Sequence, residues 1–73
     1  MAQYYRHFKG GKYILLEIGY DSETKEKVVV YKALYGEGTV WVRPYDMFYG
    51  TVEVNGEIKK RFTAISKEEA YAK

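Results

Sequence analysis

KVVVYKALYGEGTVWVRP, Lys27 to Pro44, decides the fold of this chain. The β-branched run Val28-Val29-Val30 suits a pleated strand and is a poor helix former. Lys32 marks a solvent face, which puts Val29, Tyr31 and Ala33 on the opposite, core-facing side. Gly36-Glu37-Gly38 supplies a tight turn. Thr39-Val40-Trp41-Val42-Arg43 then reads as a returning strand, stopped by Pro44, which has no amide to give to a ladder.

Working outward, Tyr13 to Tyr20 (YILLEIGY) alternates with period two, and the set Ile14, Leu16 and Ile18 is expected to face the core. Asp21 to Glu26 is a polar hairpin loop. Pro44 to Gly50 opens a turn or a short helix, with Met47 and Phe48 expected to plug one end of the core. Thr51 to Val54 alternates again, and Asn55-Gly56 is a strong hairpin signal. Glu57 to Ile65 returns as the last strand, with Phe62 and Ile58 inward. Ser66-Lys67-Glu68-Glu69 has capping-box spacing ahead of a short C-terminal helical turn. Residues 1–12, basic and aromatic and ending in Gly10-Gly11, read as an N-terminal arm. The expected organisation is therefore an arm (1–12), a β domain (13–65) and a helical tail (66–73). Five short strands joined by tight turns predict a single mostly β domain, an SH3-like barrel, with an OB-like barrel as the alternative, because closure removes exposed edges.

Composition narrows function more than it defines it. With 73 residues the chain makes one small domain, and it has no cysteine and one histidine, His7. That leaves no thiol chemistry and no zinc knuckle or iron–sulfur site, so no metal and no cofactor are expected. Twelve basic against ten acidic residues give a formal charge of +2, a weak bias for a nucleic-acid binder. No apolar run reaches the roughly 20 residues of a membrane span, and Met1-Ala2-Gln3 does not begin a secretory signal. A cytoplasmic monomer is the expectation.

Three stretches, YRHFKGGKY (Tyr5 to Tyr13), ETKEKVVVYKALYGEG (Glu23 to Gly38) and VWVRPYDMF (Val40 to Phe48), together with VEVNGE and RFTAI, resemble a family of short, mostly bacterial proteins known as domain of unknown function family 1653. The resemblance runs from about Tyr4 to Ile65 and implies a small β-barrel-type domain. It implies no activity, cofactor or catalytic residue. Where that family often has proline before the final Arg-Phe, this chain has Lys60.

No catalytic constellation is visible. Ser22 lies in a loop and Ser66 at a helix cap, and His7 has no carboxylate nearby in sequence. What stands out is the aromatic content, 18% of the chain with nine tyrosines. Tyr35 ends one strand close to Trp41 on the next, Arg43 lies on the same side of its strand as Trp41, and the arm carries Arg6 and His7. Aromatic rings beside guanidinium groups suit a protein segment or an anionic small ligand, with single-stranded nucleic acid as the rival partner. With Val40 and Val42 as core residues, Trp41 is left partly exposed. The opposing account makes Trp41 a core residue and pairs Arg43 with Glu17 or Asp46. A second candidate is the turn Lys9-Gly10-Gly11-Lys12, whose amides and lysines fit an anion-binding nest. The sequence thus points to a non-catalytic binding module, with a single-stranded nucleic-acid-binding barrel as the alternative and a minor enzyme or nucleotide-processing accessory domain as a third, more distant reading.

Overall fold

The computed structural model describes residues 2–72; Met1 and Lys73, the outermost positions of the expected arm and tail, lie outside the described residues. Seven strands and two short helices follow one another as β1 (Tyr4–His7), β2 (Lys12–Tyr20), β3 (Lys27–Ala33), β4 (Val40–Pro44), α1 (Tyr45–Phe48), β5 (Thr51–Val54), β6 (Glu57–Lys60), β7 (Phe62–Ile65) and α2 (Lys67–Ala70). The fold is mostly β, as expected. A closed five-stranded barrel is not what forms. Strands β4-β3-β2-β1-β7 make one open antiparallel sheet, and β5-β6 make a separate two-stranded ribbon. Two sequence readings account for the difference. The segment read as an arm contributes β1, which sits between β2 and β7. The last expected strand breaks at Arg61 into β6 and β7, which join different sheets.

The turns follow their chemistry. The Asp21 carboxylate accepts from the amides of Glu23 (2.8 Å) and Thr24 (3.0 Å), while Lys25 takes a left-handed conformation to finish the loop. Asn55 and Gly56 both have positive φ, 52° and 81°, as a type I′ hairpin turn requires. Ser66 caps α2 through a hydrogen bond from the Glu69 amide to its hydroxyl (3.0 Å).

The sheet has one face that carries the core. Val29, Tyr31 and Ala33 are buried there, as their alternation predicts. Opposed residues of a ladder share a face, so the register adds Tyr13 (opposite Ala33), Leu15 (opposite Tyr31) and Ile18 (opposite Val29). Leu16 is not among them. A bulge between Leu15 and Glu17 takes Leu16 out of the pairing and leaves it exposed. The alternation of YILLEIGY therefore changes phase at Leu16; of the expected inward set only Ile18 lies on this face, and it is exposed there at 37%.

Phe48 (0% exposed) and Phe62 stack with ring centroids 4.0 Å apart and 9° between planes. Tyr5 and Tyr31 meet Phe48 edge-on at 5.1 and 5.2 Å. Tyrosine thus thickens the core and turns its hydroxyls to the rim, where the Tyr5 and Tyr49 hydroxyls lie 3.1 Å apart. Met47 and Ile58, expected to face inward, are exposed, Ile58 at 74% because it lies on the detached ribbon.

Candidate functional site

Trp41 and Arg43 face the core side of the sheet, since Trp41 lies opposite Tyr31 and Arg43 opposite Val29. Val40 and Val42, expected as core residues, lie on the other face and are exposed. The face of Trp41 was therefore misassigned, yet its partial exposure was not: it remains 52% exposed. Its strand ends the sheet, so nothing closes over it from the far side. The same two residues were set against alternatives in which Arg43 pairs with Glu17 or Asp46. Instead its Nε donates to the Tyr31 hydroxyl (3.1 Å) and its Nη1 approaches the Met47 sulfur (3.5 Å).

A cleft of about 540 Å³ opens where the sheet curls but does not meet itself. His7, Tyr13, Tyr31, Tyr35, Trp41 and Phe62 line it, Tyr31 and Phe62 among them being buried. Lys9, Gly11, Val42 and Arg43 complete its rim. A volume of this order suits a single small ligand or a few side chains of a partner. The Tyr13 and Tyr35 hydroxyls are 2.5 Å apart, and partial burial, followed by that neighbour, raises the Tyr13 pKa. The Tyr13 hydroxyl therefore stays protonated at ordinary pH.

His7 is held from two sides. Its ring packs edge-on against Phe62 at 4.9 Å, and its Nδ1 accepts from the Lys9 amide at 3.1 Å. That contact puts the proton of the neutral ring on Nε2. Burial lowers its pKa first, and the positive charges of Arg43, Arg61 and Lys9 lower it further. The field around the cleft is thus positive, and among the described residues no carboxylate lines it.

Four of the five residues expected in one cluster, His7, Tyr35, Trp41 and Arg43, line this cleft. Arg6 does not. Neighbours on a strand point to opposite faces, so with His7 on the cleft side Arg6 lies on the outer face, where it pairs with Glu69 of α2. The anion-nest candidates divide in the same way. Lys9 and Gly11 reach the cleft, while Lys12 donates to the Glu69 carbonyl at 2.8 Å. The amides of Lys9 and Gly10 are spent on His7 itself, on Nδ1 and on the carbonyl (2.7 Å), so this turn holds the imidazole.

Sequence reasoning missed Tyr13, Tyr31 and Phe62. The signal for Tyr31 was present, because it and Trp41 are equidistant from Gly36 at the centre of the turn. Phe62 carried no such signal, since its neighbours across the cleft come from β3 and β4.

The family described as "Protein of unknown function (DUF1653)" matches residues 3–64, nearly the whole described domain. This chain belongs to that family. A crystal structure of a DUF1653 protein from Bordetella bronchiseptica is similar, with a TM-score of 0.78 and 31% sequence identity over 89% of this chain and 86% of that one. No curated protein matches the chain. Membership in DUF1653 thus agrees with the fold described above and leaves its chemistry to be read from the cleft. Among the described residues, no group of three or more His, Cys, Asp or Glu could hold a metal ion, and no helix is long and apolar enough to cross a membrane.

Proposed function

We propose that this DUF1653 protein is a non-catalytic binding module whose β4–β7 cleft takes a partner carrying negative charge beside an apolar or flat group. One observation carries the reading: rings, a guanidinium and an imidazole converge on an open cleft that no carboxylate of the described residues lines. Trp41 and Tyr35 offer rigid contact area at low entropy cost. Arg43, already oriented by Tyr31, offers charge-assisted hydrogen bonds to an oxyanion. The neutral His7 adds a donor at Nε2. A protein segment and an anionic small ligand both meet this description.

Catalysis has less support. Ser66 is occupied as the cap of α2, Ser22 lies in the β2–β3 loop, and no carboxylate stands beside His7 to make it a base. The absence of cysteine suits a reducing compartment, and the cytosol is the location we assign to the protein.

The chain has one tryptophan, so its fluorescence reports on the cleft directly. Phenyl phosphate, a ring bearing an oxyanion, is the first probe. Quenching of Trp41 with amide shifts confined to His7, Tyr35, Trp41 and Arg43 is the expected result. An unchanged spectrum with phenyl phosphate and with acidic peptides alike would remove the reading. Binding of single-stranded RNA with a log–log salt slope of about −0.7 per phosphate would move the protein to the nucleic-acid class.

A further inference from the structure

The cleft opens onto a sheet edge, and the inference drawn from that edge rests on the cleft being a binding site. Strand β4 has β3 on one side and, among the described residues, no strand on the other. The register fixes which backbone groups look outward. The Ala33 amide donates to the Thr39 carbonyl at 2.9 Å, and bonded and non-bonded pairs alternate from there. Trp41 and Arg43 accordingly spend their amides and carbonyls on Tyr31 and Val29, whereas Val40 and Val42 turn theirs away from the sheet. The side chains of Val40 and Val42 are 51% and 63% exposed.

The opposite edge is different. The Phe8 amide bonds the Arg61 carbonyl, so the outward amides of β7 belong to Phe62 and Ala64, and Phe62 is buried. Exposed edges are ordinarily blunted by charge, proline or a covering segment. Strand β4 carries Val-Trp-Val at its open edge, with Pro44 only at its far end.

We propose that an extended acidic protein segment adds to β4 and completes the sheet there, inserting side chains into the cleft as it does so. An added strand shares the alternation of its neighbour, so its residues beside Trp41 and Arg43 point into the cleft and the intervening one points away. Recognition is then of two side chains two positions apart, an aromatic or apolar one against Trp41 and a carboxylate at Arg43. Charge complementarity selects this occupant. Lys9, Arg43 and Arg61 all act on His7 with positive charge, and the cleft has no acid to offer in return. A second copy of this chain would bring the same positive surface to its own.

The test uses short synthetic peptides with an acidic residue two positions from a phenylalanine, in both orders. Each is paired with a version N-methylated at the alternate amides that would face β4. Phenyl phosphate serves as the side-chain-only control. Peptide binding with shifts at the amides of Val40 and Val42, lost by about tenfold or more on N-methylation, is expected for strand addition. V40P provides the same test from the protein side at a residue outside the cleft: the Val40 amide makes no ladder bond, so proline is tolerated at this edge, and phenyl phosphate binding is retained while peptide binding falls. Equal binding of both peptide forms would overturn strand addition and leave the cleft reading standing. So would phenyl phosphate binding with no peptide binding at all. Concentration-dependent dimerisation abolished by V40P would also overturn it, by making a second copy the occupant. Silence with every probe would remove both readings together.

Discussion

The Arg43 guanidinium lies 5.9 Å from the ring centroid of Phe62, although the two residues belong to the two opposite ends of the five-stranded sheet. The sheet is therefore curled far enough for its first and last strands to share a side-chain contact while their backbones stay unpaired. The cleft occupies the remaining gap. Its walls are held by side chains where a barrel would be held by a ladder, which separates the residues of the cleft from those that carry stability.

Trp41 and Phe48 should part ways on that basis. Phe48 is fully buried between Phe62, Tyr5 and Tyr31, and Phe48→Ala is expected to cost about 3–5 kcal/mol. A domain of this size has little more than that in reserve, so the variant should be largely unfolded by circular dichroism. Trp41→Ala, at a half-exposed edge, should cost less than about 1.5 kcal/mol while removing ligand response. Equal destabilisation by the two would mean that Trp41 belongs to the core.

His7 supplies a pH dependence with a definite sign. Its folded pKa lies below the ordinary imidazole value of 6.5, so between the two values the unfolded chain binds more protons than the folded one. Stability should therefore fall as pH drops below 6.5 and through the folded value. Protonation also removes the Nδ1 lone pair that accepts from Lys9. Imidazole NMR shifts against pH measure the midpoint directly, and Arg43→Gln should move it upward by withdrawing one of the positive charges. A His7 midpoint at or above 6.5 would contradict the described environment.

At the alkaline end the argument reverses. Burial, and then the Tyr5 hydroxyl, raise the Tyr49 pKa above 10.0. The unfolded chain gives up that proton first, so stability should decline as pH rises past 10.0. Tyrosinate absorbance should resolve a late-titrating group that Tyr49→Phe removes. Because the Tyr5–Tyr49 hydroxyl contact is 3.1 Å, the same variant should cost about 0.5–1.5 kcal/mol at neutral pH.

Two glycines sit where a side chain would crowd a neighbour. A Cβ at Gly50 would sit 2.7 Å from the Asp46 carbonyl oxygen, which belongs to backbone and has little room to move. Gly50→Ala is expected to cost about 1–3 kcal/mol in thermal or urea unfolding. A Cβ at Gly11 would instead meet the Tyr35 ring at 3.0 Å and Tyr13 at 3.2 Å. Gly11→Ala should spare the core and disturb the cleft, visible as altered Tyr13 and Tyr35 ring resonances with a smaller loss of stability than Gly50→Ala.

The parts of this architecture that are local in the chain were legible from the sequence. Turn chemistry at Asn55-Gly56 and Ser66, and the inward set Val29, Tyr31 and Ala33, follow from short-range rules. Phase and partnership were harder. One bulge residue inverts the alternation of β2. In β4 the choice between Val-Val and Trp-Arg as the inward pair is decided by register with β3 and by lying at an edge, where a large ring can face the core side and still meet water. The break at Arg61 is likewise tertiary: its amide donates to the Gly50 carbonyl (3.0 Å) and its Nε to the Met47 carbonyl (3.2 Å), tying the chain to the helix exit between two sheets. Arg6 was recoverable, since strand parity alone separates it from His7.

Leu16 has one further consequence. Its neighbours Leu15 and Glu17 pair with Tyr31 and Val30, which are themselves adjacent, so excising Leu16 would leave every other side chain of β2 on its present face. Only the extra bend and twist that a bulge imparts would go. The spacing between Arg43 and Phe62, and with it the aperture available to a partner, is thus adjustable by a residue that lines no part of the opening: in this fold, the calibre of the cleft and the chemistry of its walls are written at separate positions and can change independently.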